Sequence, residues 1–162
     1  QNLEKGKIKM EPAALDKMTA EILRGLQPIA EQKRIALEGA LQFPGTVDCL
    51  PVYLRHAISN LVENAIKYNR PSGSVTVSIH SAESAVLEVT DTGIGISPEN
   101  QEKIFDPFYR VDKSRSRAMG GAGLGLALVS EIARQHNGQV KVTQSSEKGS
   151  TIALILPEST DY

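Results

Sequence analysis

The chain has 162 residues, 40% of them hydrophobic and 23% charged, with a formal net charge of −1, a length and composition that suit one globular domain with a real core. So small a charge sets up no field to draw the chain to nucleic acid or to an anionic membrane. The single cysteine, Cys49, excludes an internal disulfide and a cysteine-only zinc site, and no apolar run approaches the ~20 residues that cross a bilayer.

Residues 1–10 are polar and lysine-rich and read as a linker. The opening at Gln1, without a methionine, suggests a piece of a larger protein. One domain is expected over 11–158, with a tail at 159–162. From Pro12 the spacing predicts a helix with Leu15, Met18, Ile22, Leu26 and Ile29 on its core stripe. Lys33–Glu38 reads as a short strand. Gln42–Val47, around Phe43-Pro44-Gly45, reads as a turn and another strand. Nothing in this first third carries chemistry.

A second helix is predicted from about Val52 to Asn69, where Leu54, Ala57, Leu61 and Ala65 recur at three- and four-residue steps. On it Asn60 and Asn64 stand about 40° apart, and Lys67 within about 20° of Asn60. Two amides and an ammonium therefore share one ridge, with His56 a turn earlier. Asparagine is a mediocre helix former, so two of them a turn apart need a reason. Amide oxygens suit Mg²⁺, and a lysine beside them suits phosphate; a solvated helix face is the plainer alternative.

Val75–His80 and Ala85–Thr90 alternate as two strands joined by a turn at Ser81–Ser84. In the second, Ala85, Leu87 and Val89 share a face, and counting on by two puts Asp91 on that apolar face. A buried charge there needs a partner. The glycines in Asp91-Thr92-Gly93-Ile94-Gly95-Ile96 let backbone come close to a ligand or turn with positive φ. A buried acceptor beside open backbone suits a flat heterocycle with an amino donor. The alternative is an aspartate that caps its own turn. Ser97-Pro98-Glu99 looks like the start of a brief helix ending near Phe105.

Between Phe105 and Gly125 the composition turns aromatic, then basic (Arg110, Lys113, Arg115, Arg117), then glycine-rich. That pattern fits a mobile loop able to fold over an anionic ligand, or an ordinary surface loop. A helix is predicted at Leu126–His136, with Leu126, Val129 and Ala133 inward, and its glycine-led start offers an anion site. Asn137-Gly138 stops it. Val140–Gln144 and Thr151–Leu156 follow as strands around Lys148-Gly149. Short strands, helices and antiparallel hairpins together give a two-layer α/β sandwich.

The Walker pattern and the dinucleotide fingerprint are both absent. What is present, in order, is Asn60-Leu-Val-Glu-Asn64-Ala-Ile-Lys67-Tyr68, Asp91-Thr-Gly93-Ile-Gly95, Phe105-Asp-Pro-Phe108, Gly121-Ala-Gly123-Leu-Gly125-Leu and Gly149-Ser-Thr151. These five boxes, over roughly residues 54–156, resemble the ATP-binding catalytic domain of sensor histidine kinases, whose fold family includes gyrase-type, Hsp90-type and MutL-type ATPases. Residues 12–50 match that family only in general pattern.

The resemblance implies the Bergerat fold: a mixed, largely antiparallel sheet covered on one face by helices, with a mobile ATP lid. It implies ATP and Mg²⁺ as cofactors. Asn64, assisted by Asn60, would hold the metal, Lys67 would contact phosphate, and these three would be the catalytic set. Asp91 would accept from the adenine amino group, with Gly93 and Gly95 letting the base approach and Tyr68 on adenine or sugar. Arg110 and Arg115 would reach the phosphates, and Gly121, Gly123 and Gly125 would shape the triphosphate site. Ile96, Phe105, Leu124, Leu126 and Thr151 complete the nucleotide-binding set. Ala122 departs from the family, where many relatives carry a hydroxyl.

In the ATPase branches a glutamate one turn before the metal-binding asparagine activates water. Asn60 stands there and cannot take a proton, while Glu63 lies on another part of the helix. That favours transfer over hydrolysis. The acceptor histidine would sit on an upstream dimerisation domain, from which the phosphoryl group passes to a response regulator. The expected parent is a membrane-anchored bacterial homodimer with this domain, by itself a monomer, in the cytoplasm. A serine kinase of the anti-sigma type and a nucleotide-binding module without catalysis are the alternatives.

Overall fold

The computed structural model describes residues 9–107 and 126–159. The chain runs β1 (Glu11–Ala14), α1 (Leu15–Gln32), β2 (Ala36–Leu41), β3 (Thr46–Cys49), α2 (Pro51–Lys67), β4 (Ser74–Ser81), β5 (Ala85–Asp91), α3 (Leu126–Gln135), β6 (Gln139–Ser146) and β7 (Gly149–Leu156). Five strands form one sheet in the order β2-β4-β5-β7-β6, and β1 pairs with β3 outside it. The β2–β4 pair is parallel and the other three neighbouring pairs are antiparallel. The helices form a second layer: α1 packs on β2, α2 on β4 and β5, and α3 on β6 and β7. This is the expected sandwich.

The strand alternation explains why one face collects the core. Val75, Val77 and Ile79 of β4 and Ala85, Leu87 and Val89 of β5 are buried against Leu54, Ala57, Ile58, Leu61, Val62 and Ala65 of α2. Cys49 lies fully buried at the end of β3, and desolvation pushes its thiol up to about 11. On the helix-facing side one row across the sheet changes character. Leu37 pairs with Val75, Val75 with Asp91, and Asp91 with Ser150. At the β5 end the sheet thus turns a carboxylate and a hydroxyl toward the helical layer.

Several boundaries differ from the sequence expectations. Pro12 lies in β1, not in a helix, because backbone pairing with Asp48 of β3 claims residues 11–14 and α1 starts at Leu15. The core stripe of α1 runs through Leu15, Met18, Thr19, Leu23, Leu26 and Ala30, which leaves Ile29 43% exposed. Residues 33–35 close α1 instead of opening a strand. Arg34 takes φ 60° and the Ile35 N–H reaches back to the Ala30 carbonyl at 2.8 Å, a left-handed helix closure. The second strand of that region is Thr46–Cys49. The helix expected from Ser97 is two separate 3-10 turns, Pro98–Asn100 and Lys103–Phe105. Ser97 Oγ accepts from the Asn100 side chain at 2.9 Å and caps no backbone N–H.

At the end of α3 the left-handed residue is Asn137, φ 59°, and the Gly138 N–H donates to Ala133 O at 2.8 Å. His136 is 4% exposed there and uses both ring nitrogens. Leu50 N–H can only donate, so Nε2 accepts from it at 3.0 Å; Ile132 O can only accept, so Nδ1–H donates to it at 2.7 Å. The ring ties the start of α2 to the end of α3. It is a structural histidine.

Candidate functional site

The glycine-rich turn after β5 is built around the Asp91 carboxylate. Oδ1 accepts from the Gly93 N–H at 2.8 Å and from the Ser150 N–H at 3.3 Å, and Oδ2 accepts from the Ser150 hydroxyl at 3.0 Å. A carboxylate has about four acceptor positions. Among the described residues three are taken, two on Oδ1 and one on Oδ2. Burial raises the Asp91 pKa above its ordinary value, and the bonds from Gly93 and Ser150 pull against that rise. The turn-capping reading of Asp91 is what the Gly93 bond shows.

Gly93 is where the second helix and this turn meet. A Cβ there would lie 2.6 Å from the Tyr68 carbonyl oxygen and 3.1 Å from Asp91 Oδ1. Tyr68 closes α2, its N–H donating to Asn64 O at 3.0 Å, so the end of the asparagine ridge abuts the Asp91 turn. Asn60, Asn64 and Lys67 are half-buried beside the fully packed positions of α2, and His56 is exposed. Lys67 Nζ sits 5.5 Å from the centre of the Tyr68 ring, a cation–π distance. Burial raises the Tyr68 pKa. Glu63 points elsewhere, exposed and accepting from Ser59 Oγ at 3.3 Å.

The rest of the turn is tied down on both sides. Gly95 has φ 80°, and a Cβ on it would meet the Ser146 carbonyl at 2.0 Å, so no other residue fits. Ile96 N–H donates to Ser145 Oγ at 2.7 Å, and Ile96 O accepts from Gln101 at 2.9 Å. Thr92 Oγ1 donates to Asn69 Oδ1 at 2.9 Å and accepts from Ser74 N–H at 2.9 Å. Asn69 Nδ2 in turn donates to Ser74 O at 2.8 Å.

Other sequence-picked residues face elsewhere or pack in the core. Thr151 turns to the opposite face of the sheet, where its hydroxyl meets Thr90 Oγ1 at 2.9 Å. Phe105 packs against the core from its 3-10 turn, and Leu126 is buried at the start of α3. Arg110, Arg115, Gly121, Gly123, Leu124 and Gly125, with the rest of the expected lid, lie outside the described residues. Ser150, Thr92, Asn69 and Arg70 were not singled out from sequence. For Ser150 the sign was its place in Gly149-Ser-Thr151, one residue from the threonine that was chosen.

Residues 49–160 match the family described as histidine kinase-, DNA gyrase B-, and HSP90-like ATPase. The chain is 46% identical over 106 residues to the sensor-like histidine kinase SenX3 of Mycolicibacterium smegmatis, covering 65% of this chain and 28% of that protein. It is 34% identical over 164 residues to the circadian input-output histidine kinase CikA of Synechococcus elongatus, covering 98% of this chain and 22% of that one. Among solved structures, the mycobacterial sensor histidine kinase MprB superposes with a TM-score of 0.79 at 27% identity, over 94% of this chain and 99% of that one. The chain thus spans under a third of these two curated relatives.

Proposed function

This chain belongs to the family of histidine kinase-, DNA gyrase B-, and HSP90-like ATPases, and we propose that it is the ATP-binding catalytic part of a two-component sensor histidine kinase. The observation that carries this reading is Asp91 Oδ2, which among the described residues accepts only from Ser150, beside a turn that meets the asparagine helix at Gly93. An adenine amino group would donate to Oδ2, and the flat base would lie along the glycine backbone. From there the triphosphate would run toward Lys67, Asn64 and Asn60.

The donor set fits Mg²⁺. Amide oxygens on a half-buried ridge are hard ligands, too few to satisfy the ion alone, and Mg²⁺ ordinarily takes the remainder from phosphates and water. When bound, the ion would neutralise phosphate charge. Asn64 would orient it with help from Asn60, and Lys67 would add a positive charge. Arg110 and Arg115, outside the described residues, would add positive charge for the phosphates.

Asn60 provides no base for water, which supports phosphoryl transfer over hydrolysis. The acceptor would be a histidine on a separate dimerisation domain of the parent protein, and a response-regulator aspartate would receive the group next. The names of SenX3 and CikA favour this over the anti-sigma-type serine kinase. The reading extends to a homodimeric parent anchored in the bacterial membrane with this domain in the cytoplasm. Among the described residues no helix is long and apolar enough to cross a membrane, so such an anchor would belong to another part of the parent.

The test is transfer in trans. Incubated with labelled ATP and Mg²⁺, this chain should leave His56, His80 and His136 unlabelled and release phosphate slowly. A histidine-bearing dimerisation domain from its parent should then take up acid-labile label. Label on His56 of the chain alone would overturn the reading.

A further inference from the structure

One side chain outside the five boxes joins three segments of the site. Arg70 follows α2 by three residues. Its backbone N–H donates to Asn69 Oδ1 at 2.8 Å, its Nε donates to Gly93 O at 3.2 Å, and its Nη2 donates to Glu147 O in the β6–β7 turn. The turn it reaches is the one against which the glycines pack. Gly95 abuts Ser146 O, and a Cβ on Gly149 would lie 2.0 Å from Asp91 O. Ser150, the double donor to Asp91, follows directly.

A guanidinium presents its donors in a fixed planar fork, so two acceptors held by one arginine are held at a set spacing. Among the described residues this guanidinium meets no carboxylate; the two ion pairs are Arg55–Glu21 and Arg134–Glu131. Exposed on its outer side, it donates to two backbone carbonyls, one in the glycine turn and one in the β6–β7 turn. Lysine would carry the same charge on a single point and has no such fork.

We propose that Arg70 is a positioning residue for nucleotide selection: by clasping Gly93 to Glu147 it sets the distance between the glycine turn and the β6–β7 turn, and so the aim of Asp91 Oδ2. This rests on Asp91 being the adenine acceptor. Arg70 itself touches no nucleotide in this account. Its removal would let the two turns drift apart, and the donors from Gly93 and Ser150 would no longer fix the carboxylate.

The experiment titrates ATP and GTP, each with Mg²⁺, into the parent chain and into Arg70→Ala, Arg70→Lys and Asp91→Ala, with thermal unfolding of each. Arg70→Ala should bind ATP about five- to tenfold more weakly, less than the roughly ten- to hundredfold of losing the charge-assisted bond outright because Arg70 acts only through Asp91, and bind GTP as the parent does. A general loss of structure would weaken both nucleotides together. Arg70→Lys should fall between parent and Arg70→Ala, and it decides the question if the alanine variant does not fold. Unchanged ATP preference in the Arg70 variants, or equal loss of ATP and GTP, overturns the proposal. If Asp91→Ala abolishes the preference in that same experiment, only the role of Arg70 fails. If Asp91→Ala leaves it intact, the adenine reading fails and the proposal with it.

Discussion

Ser150 donates to both oxygens of Asp91, its N–H to Oδ1 at 3.3 Å and its hydroxyl to Oδ2 at 3.0 Å. One residue of the neighbouring strand therefore fixes the rotation of the carboxylate. Removing the hydroxyl should loosen that aim without unfolding the sheet. Ser150→Ala is expected to weaken ATP binding about three- to tenfold, less than the loss of a whole hydrogen bond to a charged group because Asp91 itself remains. Calorimetry on the variant and on the unaltered chain would check it.

Asp91 also makes stability depend on pH. Burial raises its folded pKa above 3.8, so the folded chain holds that proton more tightly than the unfolded one. The stabilisation this brings is complete below 3.8 and is lost as pH rises through the folded value. At neutral pH the ionised carboxylate is then a cost to the nucleotide-free fold. Asp91→Asn should melt no lower than the parent at pH 7, and its advantage should shrink as pH falls to about 4. An advantage for the parent that grows with pH would contradict this.

Gly93→Ala should separate folding from binding. The added methyl meets Tyr68 O at 2.6 Å, and the backbone must shift at a junction both motifs share. Overpacking of this kind costs about 1–3 kcal/mol, which leaves a folded domain to assay. Nucleotide affinity should fall by more than in Ser150→Ala, because Tyr68 and Asp91 move apart together.

His136→Ala should do the reverse. It leaves the Leu50 N–H without its acceptor, a loss of about 1–3 kcal/mol for a buried donor. The unfolding midpoint in urea should drop, and ATP affinity at a temperature where the variant is folded should match the parent.

The sheet and helices were legible because their apolar residues follow clean periods: β4 and β5 alternate, and α2 carries Leu54, Ala57, Leu61 and Ala65 at helical steps. Asp91 was legible by the same counting. Its partner Ser150 was not, because β7 is apolar or buried on both faces from Ser150 to Leu154, which hides which residues point inward. Only the pairing of Asp91 with Ser150 and of Thr90 with Thr151 decides it. β1 escaped notice because Pro12 looks like a helix start until β3 supplies its partner. Arg70 carries no local signal at all, since its two acceptors lie 23 and 77 residues away.

The central claim is that Asp91 Oδ2 accepts the amino group of adenine. The most direct test titrates two triphosphates into the parent chain and into Asp91→Ala: ATP, and the purine riboside triphosphate that lacks only the 6-amino group. The parent should prefer ATP by about ten- to a hundredfold, the scale of a hydrogen bond to a charged acceptor, and Asp91→Ala should bind the two alike. Equal binding of both by the parent, or a preference that survives in Asp91→Ala, would contradict the account.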